Sequence, residues 1–400
     1  MAKYLFAWEL GDGLGHAARI KPLAQAMIER GHQCLLMLRD LVQPAAILQD
    51  LDVPRLQAPV WQHQTLGLPQ PPVSLPEILL SQGYLLGDHL AALVEGWLSA
   101  FRLQGTQAVI ADYAPTAVLA SRIAGLPCAT IGIGFCMPPD VQPLPSFRPD
   151  LAVPPGRLLD GERTALDRIN GVLALHGKPP MTRLAEIYAG QQPMLCTWPE
   201  LDHYGRADAG QRWWGPTFLA DVGGEAPAWP AGEGPRVFAY LKAGYPEHAA
   251  WLQALVDKGC RVICYLPEVA AGKPPPLRSP RVHFAVRPVS LGHVLPECDL
   301  LVCHAVEATS VQGLLAGVPL LLLPMQAEQA LMARVVAART SAALNAAEMP
   351  RPAPMALALG RLLDEPAMRD AARAFAARYQ HFSPAQQTRQ MADQFEALLA

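Results

Sequence analysis

Residues 299–329 (DLLVCHAVEATSVQGLLAGVPLLLLPMQAEQ) constrain the fold more tightly than any other stretch of this sequence. A short apolar run ends at His304, and Thr309 and Ser310 stand where the start of a helix could be capped. Gly317 closes the predicted helix, and a second apolar run ends at Pro324. Two buried strands joined by one helix make a βαβ unit, so the sequence predicts a parallel sheet here.

The loops of this predicted unit carry polar side chains at the carboxyl ends of both strands. Ligands of open α/β sheets bind at that edge. The polar residues are His304, Glu307, Thr309, Ser310, Glu328 and Gln329. Their imidazole, hydroxyl, carboxylate and amide groups suit a phosphate, a ribose or a sugar. The alternative interpretation is a capped helix and a surface Glu-Gln pair with no ligand.

Two basic residues follow other predicted strands of the same half of the chain. Lys242 comes after RVFAYL, and Arg287 comes after VHFAV. Because the carboxyl ends of parallel strands share one sheet edge, either residue could meet a phosphate or border a base. Solvated surface charge is the alternative for each of them.

Length and composition favour a globular protein of more than one domain. The chain has 400 residues, of which 51% are hydrophobic and 17% charged, so it can supply more than one core. The net charge of −3 and the lack of a basic stripe argue against a nucleic-acid partner.

Residues 311–327 form the longest apolar stretch without charge, but glycines and prolines interrupt it, so we expect no transmembrane segment. The amino terminus reads as a first strand rather than a signal peptide, and eight cysteines without paired spacing indicate reduced thiols; we therefore expect a cytoplasmic protein.

A rhythm of strands and helices runs through the chain twice. In the first half, YLFAWEL, CLLML, AVIAD and CATIGIG are strand-like and alternate with helical stretches. The composition shifts to Gly, Pro, Ala and acidic residues around 215–235, which is typical of a linker. The rhythm then restarts with RVFAYL. Two doubly wound α/β domains facing each other across a cleft are the simplest interpretation.

A glycine-rich turn follows the first strand, and an aspartate ends a later one. The turn runs from Gly11 through Gly13 to His16, where helix-start amides favour anions and an imidazole could accept a proton. Asp112 ends AVIAD and could hold that imidazole in one tautomer. A purely structural turn, and an aspartate that caps the helix before Pro115, are the alternatives.

Three segments of the chain resemble those of one known family. GDGLGHAARIKPLAQAMIERGH resembles the amino-terminal motif of GT-B nucleotide-sugar glycosyltransferases, the UDP-glycosyltransferase-like group. The pattern HxxxxTSxxxLLAGVPLLLLPxxxEQ resembles their donor-binding signature, and VRPVSLGHVLPECDLLVCH is similar to the segment that holds the nucleobase. The resemblance implies a GT-B fold of two Rossmann-like doubly wound domains, with a last helix that crosses back to the first domain. The expected boundaries are 1–215 for the acceptor-side domain, 216–235 for the linker, 236–380 for the donor-binding domain and 381–400 for the crossing helix.

The resemblance also implies a reaction and the residues that perform it. It implies an inverting, metal-independent glycosyltransferase in which His16 is the general base and Asp112 orients it. No cofactor is expected beyond a nucleotide diphosphate sugar of the UDP or dTDP type, and the acceptor, a small molecule or a peptide, is unknown. The donor-binding residues would be Gly13, Lys242, Arg287, Val289, His304, Glu307, Thr309, Ser310, Glu328 and Gln329, with Arg287 and Val289 bordering the base.

One turn departs from the family pattern. Glycines usually follow the signature histidine, whereas this chain has Ala305, Val306, Glu307 and Ala308. Side chains there would narrow the approach of a diphosphate, and the Glu307 carboxylate would repel it. A non-catalytic binding protein with the same fold is therefore one alternative function, and a nucleotide-sugar epimerase, which shares the two-domain architecture, is another.

Overall fold

The computed structural model describes residues 1–206, 210–219 and 224–400. The chain forms two compact units, and each is built around its own sheet. The first unit contains Met1–Phe218 and Ser383–Ala400, and the second contains Leu219–Phe382. No helix among these described residues is long and apolar enough to cross a membrane.

The first unit begins with buried apolar runs that form strands and alternate with helices. The strands are β1 Lys3–Trp8, β2 Gln33–Leu38, β3 Arg55–Gln57, β4 Ala108–Asp112, β5 Cys128–Gly132 and β6 Gln192–Leu195. The helices are α1 Gly15–Glu29, α2 Ala45–Leu48, α3 Leu75–Leu79, α4 Gly87–Gln104, α5 Pro115–Ala124, α6 Pro155–Leu175 and α7 Glu186–Ala189, with a π turn at Leu80–Tyr84 and 3-10 turns at Gly134–Cys136 and Pro199–Leu201. The three-residue strand β3 is too short and too exposed to give an alternating pattern, and the sequence did not predict it.

The second unit repeats the alternation with shorter strands. Its strands are β7 Arg236–Tyr240, β8 Arg261–Tyr265, β9 Val282–Phe284, β10 Leu300–Cys303, β11 Leu320–Leu322 and β12 Ala343–Asn345. Its helices are α8 His248–Asp257, α9 Pro267–Ala270, α10 Leu291–Val294, α11 Glu307–Leu315, α12 Ala327–Thr340, α13 Met355–Leu363 and α14 Pro366–Arg378, with 3-10 turns at Leu295–Glu297 and Ala346–Glu348. The last helix, α15 Pro384–Ala397, belongs to the first unit.

The two sheets have the same strand order. The first runs β3-β2-β1-β4-β5-β6 and the second β12-β11-β10-β7-β8-β9, and every strand pair is parallel. The order reverses between β1 and β4 and between β7 and β10, so each sheet has a topological switch point where ligands of such sheets bind. The predicted fold class of doubly wound parallel α/β domains is therefore confirmed.

Apolar side chains cover both faces of the central strands. In β1, Tyr4, Phe6 and Trp8 belong to the core that contains α1 and α15, and Leu5 and Ala7 are buried on the opposite face. Helix α15 contributes Met391 and Phe395 to the core of the first unit. Arg30, which directly follows α1, forms salt bridges with acidic side chains of α15. The predicted last helix therefore does return to the first unit.

The predicted linker, residues 216–235, is only partly described, because residues 220–223 lie outside the described ranges. The division between the units falls after Phe218. Beyond the gap, Glu225 bridges in parallel to Val289, with its amide bound to the Pro288 carbonyl at 2.7 Å. The part of this segment that follows residue 223 is thus attached to the second unit by backbone hydrogen bonds.

Candidate functional site

The glycine-rich turn lies at the switch point of the first sheet, directly after β1. Gly11 and Gly13 have φ values of +79° and +98°, which side chains rarely adopt. A Cβ atom on Gly11 would lie 2.8 Å from His16 Nε2, whereas one on Gly13 would meet nothing within 4 Å. The absence of a side chain at Gly11 therefore leaves room for the His16 ring. At Gly13 the glycine is needed only for the backbone conformation.

His16 and Asp112 are in direct contact, as the sequence indicated they could be. The register pairs Trp8 with Asp112 across β1 and β4, so the residues that follow β1 approach the end of β4. His16 Nδ1 lies 3.1 Å from Asp112 Oδ1. An ionised carboxylate only accepts hydrogen bonds, so Nδ1 carries the proton of this contact, and in the neutral ring Nε2 keeps its lone pair. The His16 side chain is 12% exposed.

A buried arginine completes this contact. Arg19 Nη1 donates to both oxygens of Asp112, at 2.8 and 2.7 Å, and Arg19 Nε donates to Thr217 Oγ1 at 2.7 Å. Burial alone would raise the pKa of Asp112, but the positive charge of Arg19 and the hydrogen bond from His16 outweigh it and hold that pKa below its usual value. Asp112 is therefore a carboxylate at neutral pH.

Aromatic rings fix the plane of the imidazole. Trp8 stacks on His16 with ring centroids 5.0 Å apart, and Tyr113 also stacks on this ring, at 6.3 Å. Tyr113 directly follows Asp112 and has a φ of 48°, an uncommon conformation for a residue with a side chain. Such backbone strain often accompanies functional sites because the surrounding contacts must enforce it.

The helix after β4 is capped by Glu9 and not by Asp112. Glu9 Oε2 accepts from the Thr116 amide at 2.8 Å, and the Thr116 hydroxyl also donates to this carboxyl group. Burial raises the pKa of Glu9 to about 7. The alternative role of Asp112 as a helix cap is therefore excluded, since a carboxylate from the end of β1 occupies that position.

His304 follows β10 at the switch point of the second sheet, but both of its ring nitrogens are bound to backbone groups. Nδ1 donates to the Leu323 carbonyl at 2.7 Å, and Nε2 accepts from the Lys242 amide at 2.8 Å. Burial lowers the pKa of His304, which favours this neutral ring. In this arrangement the ring ties the ends of β7, β10 and β11 together and offers no N–H to a phosphate.

The helix after His304 begins two residues earlier than the capping residues indicated. Helix α11 starts at Glu307, so Thr309 and Ser310 lie within its first turn, and their amides bond to the Val306 carbonyl at 3.1 and 3.0 Å. The predicted helix start at Thr309 and Ser310 is thus wrong, because Val306 caps the helix without a side-chain hydrogen bond. The amides of Glu307 and Ala308 precede the intrahelical bonds and are the ones placed for an anion.

The side chains of this turn are largely buried. Ser310 is fully buried, with its hydroxyl 3.9 Å from Cys303 Sγ, and Thr309 and Glu307 are also buried. The Glu307 carboxylate lies in the first turn of α11, where a negative charge suits the helix dipole. Ala305 has a φ of 58°, the left-handed conformation that a glycine would adopt without strain. The backbone thus makes a glycine-like turn although this position holds an alanine.

The remaining predicted donor residues lie around the same edge of the second sheet. Glu328 is half-buried in the first turn of α12, and the buried Gln329 accepts from the Met325 amide at 2.9 Å, which leaves its Nε2 group as a donor. Lys242 and Arg287 are exposed. Val289 pairs with Glu225, and its own amide and carbonyl point to the side opposite Glu225, as in any parallel bridge.

Sequence reasoning missed Arg19, the role of Gly11 and the Glu225 bridge. A signal existed only for Arg19, which lies on the buried face of α1 with Ile20 and Leu23 and so requires an anionic partner. Within residues 1–206, 210–219 and 224–400, no group of three or more His, Cys, Asp or Glu side chains is arranged to hold a metal ion.

Comparisons with known proteins agree on the fold. No family model matches this chain, and no curated protein matches its sequence. Solved structures match over nearly the whole length. The glycotransferase of kitacinnamycin has a TM-score of 0.69 at 17% identity, covering 100% of this chain and 99% of that one. The glycosyltransferase SnogD from Streptomyces nogalater has a TM-score of 0.62 at 18% identity over 98% and 99% of the two chains.

A third match was solved with a nucleotide. The Streptomyces sp. SF2575 glycosyltransferase SsfS6, complexed with thymidine diphosphate, has a TM-score of 0.61 at 18% identity and covers 98% of this chain and 100% of that one. Identities this low establish the architecture and not the activity. The chain therefore has the two-domain α/β fold of these glycosyltransferases, the GT-B fold.

Proposed function

We propose that this chain transfers a sugar from a nucleotide diphosphate sugar to an acceptor hydroxyl or amine, with inversion at the anomeric carbon. The observation that carries the proposal is the His16–Asp112 pair at the switch point of the first sheet. An imidazole whose Nδ1–H is bound to an ionised carboxylate, and whose Nε2 is unprotonated, is suited to general base catalysis.

The proposed reaction moves one proton and one glycosyl group. His16 Nε2 takes the proton of the acceptor as its oxygen or nitrogen attacks the anomeric carbon. The bond from that carbon to the diphosphate breaks, and its electron pair leaves with the diphosphate. Asp112 stabilises the imidazolium that forms. Attack from the face opposite the leaving group inverts the configuration.

The second unit would hold the donor. The first-turn amides of α11 are suited to the diphosphate, because the N–H groups at a helix start and the helix dipole favour an anion and could stabilise the leaving group without a metal ion. Glu328 and Gln329 Nε2 would bind the sugar hydroxyls, and the backbone of Val289 would border the base. The thymidine diphosphate in the SsfS6 complex supports a dTDP-type nucleotide, with UDP as the alternative.

The test combines nucleotide binding with product analysis. We expect dTDP or UDP to raise the melting temperature, and a panel of dTDP- and UDP-sugars with hydroxylated acceptors to give a glycosylated product by mass spectrometry, also in the presence of EDTA. Binding without turnover would instead support a non-catalytic protein. A changed sugar nucleotide in the absence of acceptor would indicate an epimerase. No thermal shift and no turnover would refute the proposal.

A further inference from the structure

Arg19 is the buried charge that the proposed reaction does not use directly. It lies on α1, one turn after His16, and is only 5% exposed among Ile20, Leu23 and other core residues. Its guanidinium nevertheless has a defined set of partners, namely both oxygens of Asp112 and the hydroxyl of Thr217. A buried arginine held by three hydrogen bonds to two residues cannot reorient without losing some of them.

One oxygen atom joins the arginine to the histidine. Asp112 Oδ1 accepts from His16 Nδ1 at 3.1 Å and from Arg19 Nη1 at 2.8 Å, while Oδ2 accepts only the Arg19 contact of 2.7 Å in this cluster. Rotation of the carboxylate would break these bonds. Arg19 therefore holds the plane of the carboxylate that faces the imidazole.

The same guanidinium also decides the charge of Asp112. A fully buried carboxylate without a cation tends to take up a proton, and a protonated carboxyl group binds Nδ1–H more weakly. We propose that Arg19 is a positioning residue for the His16–Asp112 pair, keeping Asp112 ionised and oriented so that His16 presents an unprotonated Nε2. Its catalytic meaning rests on the proposed function, but the positioning itself does not.

The positive charge of Arg19 has a second effect, of definite sign. It opposes the uptake of a proton by the His16–Asp112 pair, so its removal should move the titration of the pair to higher pH, whichever member holds the proton.

Other titratable groups lie around the three residues. Cys136 and Cys196 lie near Arg19, and Tyr113 lies against the His16 ring. Glu9 follows Trp8, which stacks on that ring.

The decisive experiment is a titration of the His16 ring by NMR in the wild type and in Arg19→Gln. We expect the midpoint to rise by about one pH unit or more in the variant, since removal of an adjacent opposite charge has effects of this size. Arg157→Gln is the matched control, because Arg157 forms a two-pronged pair with Glu77, at 2.7 and 2.9 Å, elsewhere in the same unit. The control should leave the midpoint unchanged. An Arg19→Gln protein that folds and titrates like the wild type would overturn the inference.

A measurement on the wild type covers the case in which Arg19→Gln does not fold. The Arg19 Nη protons should change their NMR shift with the same midpoint as the His16 ring, because both groups bind Asp112 Oδ1. Arg19 protons that do not respond over that titration would contradict the coupling.

The activity readout separates this inference from the proposed function. If sugar transfer is observed, Arg19→Gln should lower turnover on the order of 10²-fold and move the acid limb of the pH–rate profile to higher pH. In Arg19→Lys, which keeps the positive charge, the acid limb should stay at the wild-type pH. A wild-type profile in Arg19→Gln would count against the inference. If no transfer is observed with any donor, the two NMR results still decide whether Arg19 positions the pair.

Discussion

The switch points of the two sheets occupy the same place in the same strand order, but different parts of the chain make up their chemistry. In the first sheet, the groups at this edge bind one another through their side chains, namely Asp112 at the end of β4 and His16 and Arg19 on α1. In the second sheet, His304, which follows the corresponding strand β10, is bound on both ring nitrogens by backbone groups, and the helix start offers amides. Polar residues at the same edge of the same fold can therefore bind side chains in one sheet and backbone groups in the other.

The two edges share one backbone feature. Each places a residue with a side chain in the left-handed conformation directly after the strand-end residue, Tyr113 after Asp112 and Ala305 after His304. The sharp change of direction lets the chain leave the sheet while the preceding side chain stays at the edge.

Replacement of His16 should abolish most of the activity without affecting nucleotide binding. We expect His16→Ala to lower turnover by roughly 10²–10⁴-fold, the usual contribution of a general base. The affinity for dTDP or UDP, measured by calorimetry, should stay near the wild-type value because the ring belongs to the first sheet. An unchanged rate would remove His16 from the mechanism.

Replacement of His304 should affect stability. His304→Ala leaves the Lys242 amide and the Leu323 carbonyl without their partner, and each such group costs about 1–3 kcal/mol. We expect the free energy of unfolding, measured with urea, to fall by roughly 2–4 kcal/mol. The control His283→Ala, at an exposed position of β9, should change it by less than about 0.5 kcal/mol. Equal losses in both variants would refute the structural tie.

Glu9 should make the first unit less stable as pH rises. Its pKa of about 7 in the folded protein exceeds the ordinary value of 4.5, so the folded state binds more protons between these pH values. Stability is highest below that window and falls by about 3 kcal/mol as pH rises through it. Glu9→Gln, which stays uncharged, should lack this fall when urea unfolding is compared at pH 5 and pH 8. Parallel losses in variant and wild type would contradict the assignment.

The two glycines of the first turn should respond differently to a methyl group. Gly11→Ala and Gly13→Ala both force a left-handed alanine, at a cost of about 1–2 kcal/mol each. Only Gly11→Ala also displaces the His16 ring, so it should lower turnover by roughly 10-fold more than Gly13→Ala does. Similar rates in the two variants would show that Gly11 does not make room for the ring.

Ala305→Gly should have the smallest effect, although it alters a fully buried position. The variant loses the packing of a methyl group and gains flexibility in the unfolded chain, but it also loses the strain of a left-handed alanine. These effects should offset each other, so the free energy of unfolding should stay within about 0.5 kcal/mol of the wild-type value. Ala333→Gly, equally buried inside α12, has no strain to release and should cost about 1–2 kcal/mol. Comparable losses in both variants would contradict the strain at Ala305.

The sequence predicted the features that depend on local pattern. Apolar runs located β4 and β10 and hence the strand-end positions of Asp112 and His304, and the alternation of strands and helices predicted both sheets. It could not locate the start of α11, because Val306 provides no capping side chain. It also could not show how His304 is bound, since both of its partners are backbone groups, which every residue possesses.

Contacts between distant parts of the chain also could not be predicted from the sequence. Arg19 and Asp112 are separated by 93 positions, and Glu225 and Arg287 by 62. Only the packing of helices and loops on the sheets brings such pairs together, and that packing is a property of the folded chain. Local pattern therefore located the two edges, while the groups that complete them became visible only in the structure.

Helix α15 has a consequence for how the chain acquires its structure during synthesis. The ribosome makes residues 219–382 before it makes Ser383 and the helix that follows. The second unit is one continuous stretch of chain and can fold as it emerges. The core of the first unit remains incomplete until Met391 and Phe395 have been synthesised. The unit that begins first is therefore completed last, and a nascent chain that stops before α15 would expose apolar surface beside α1.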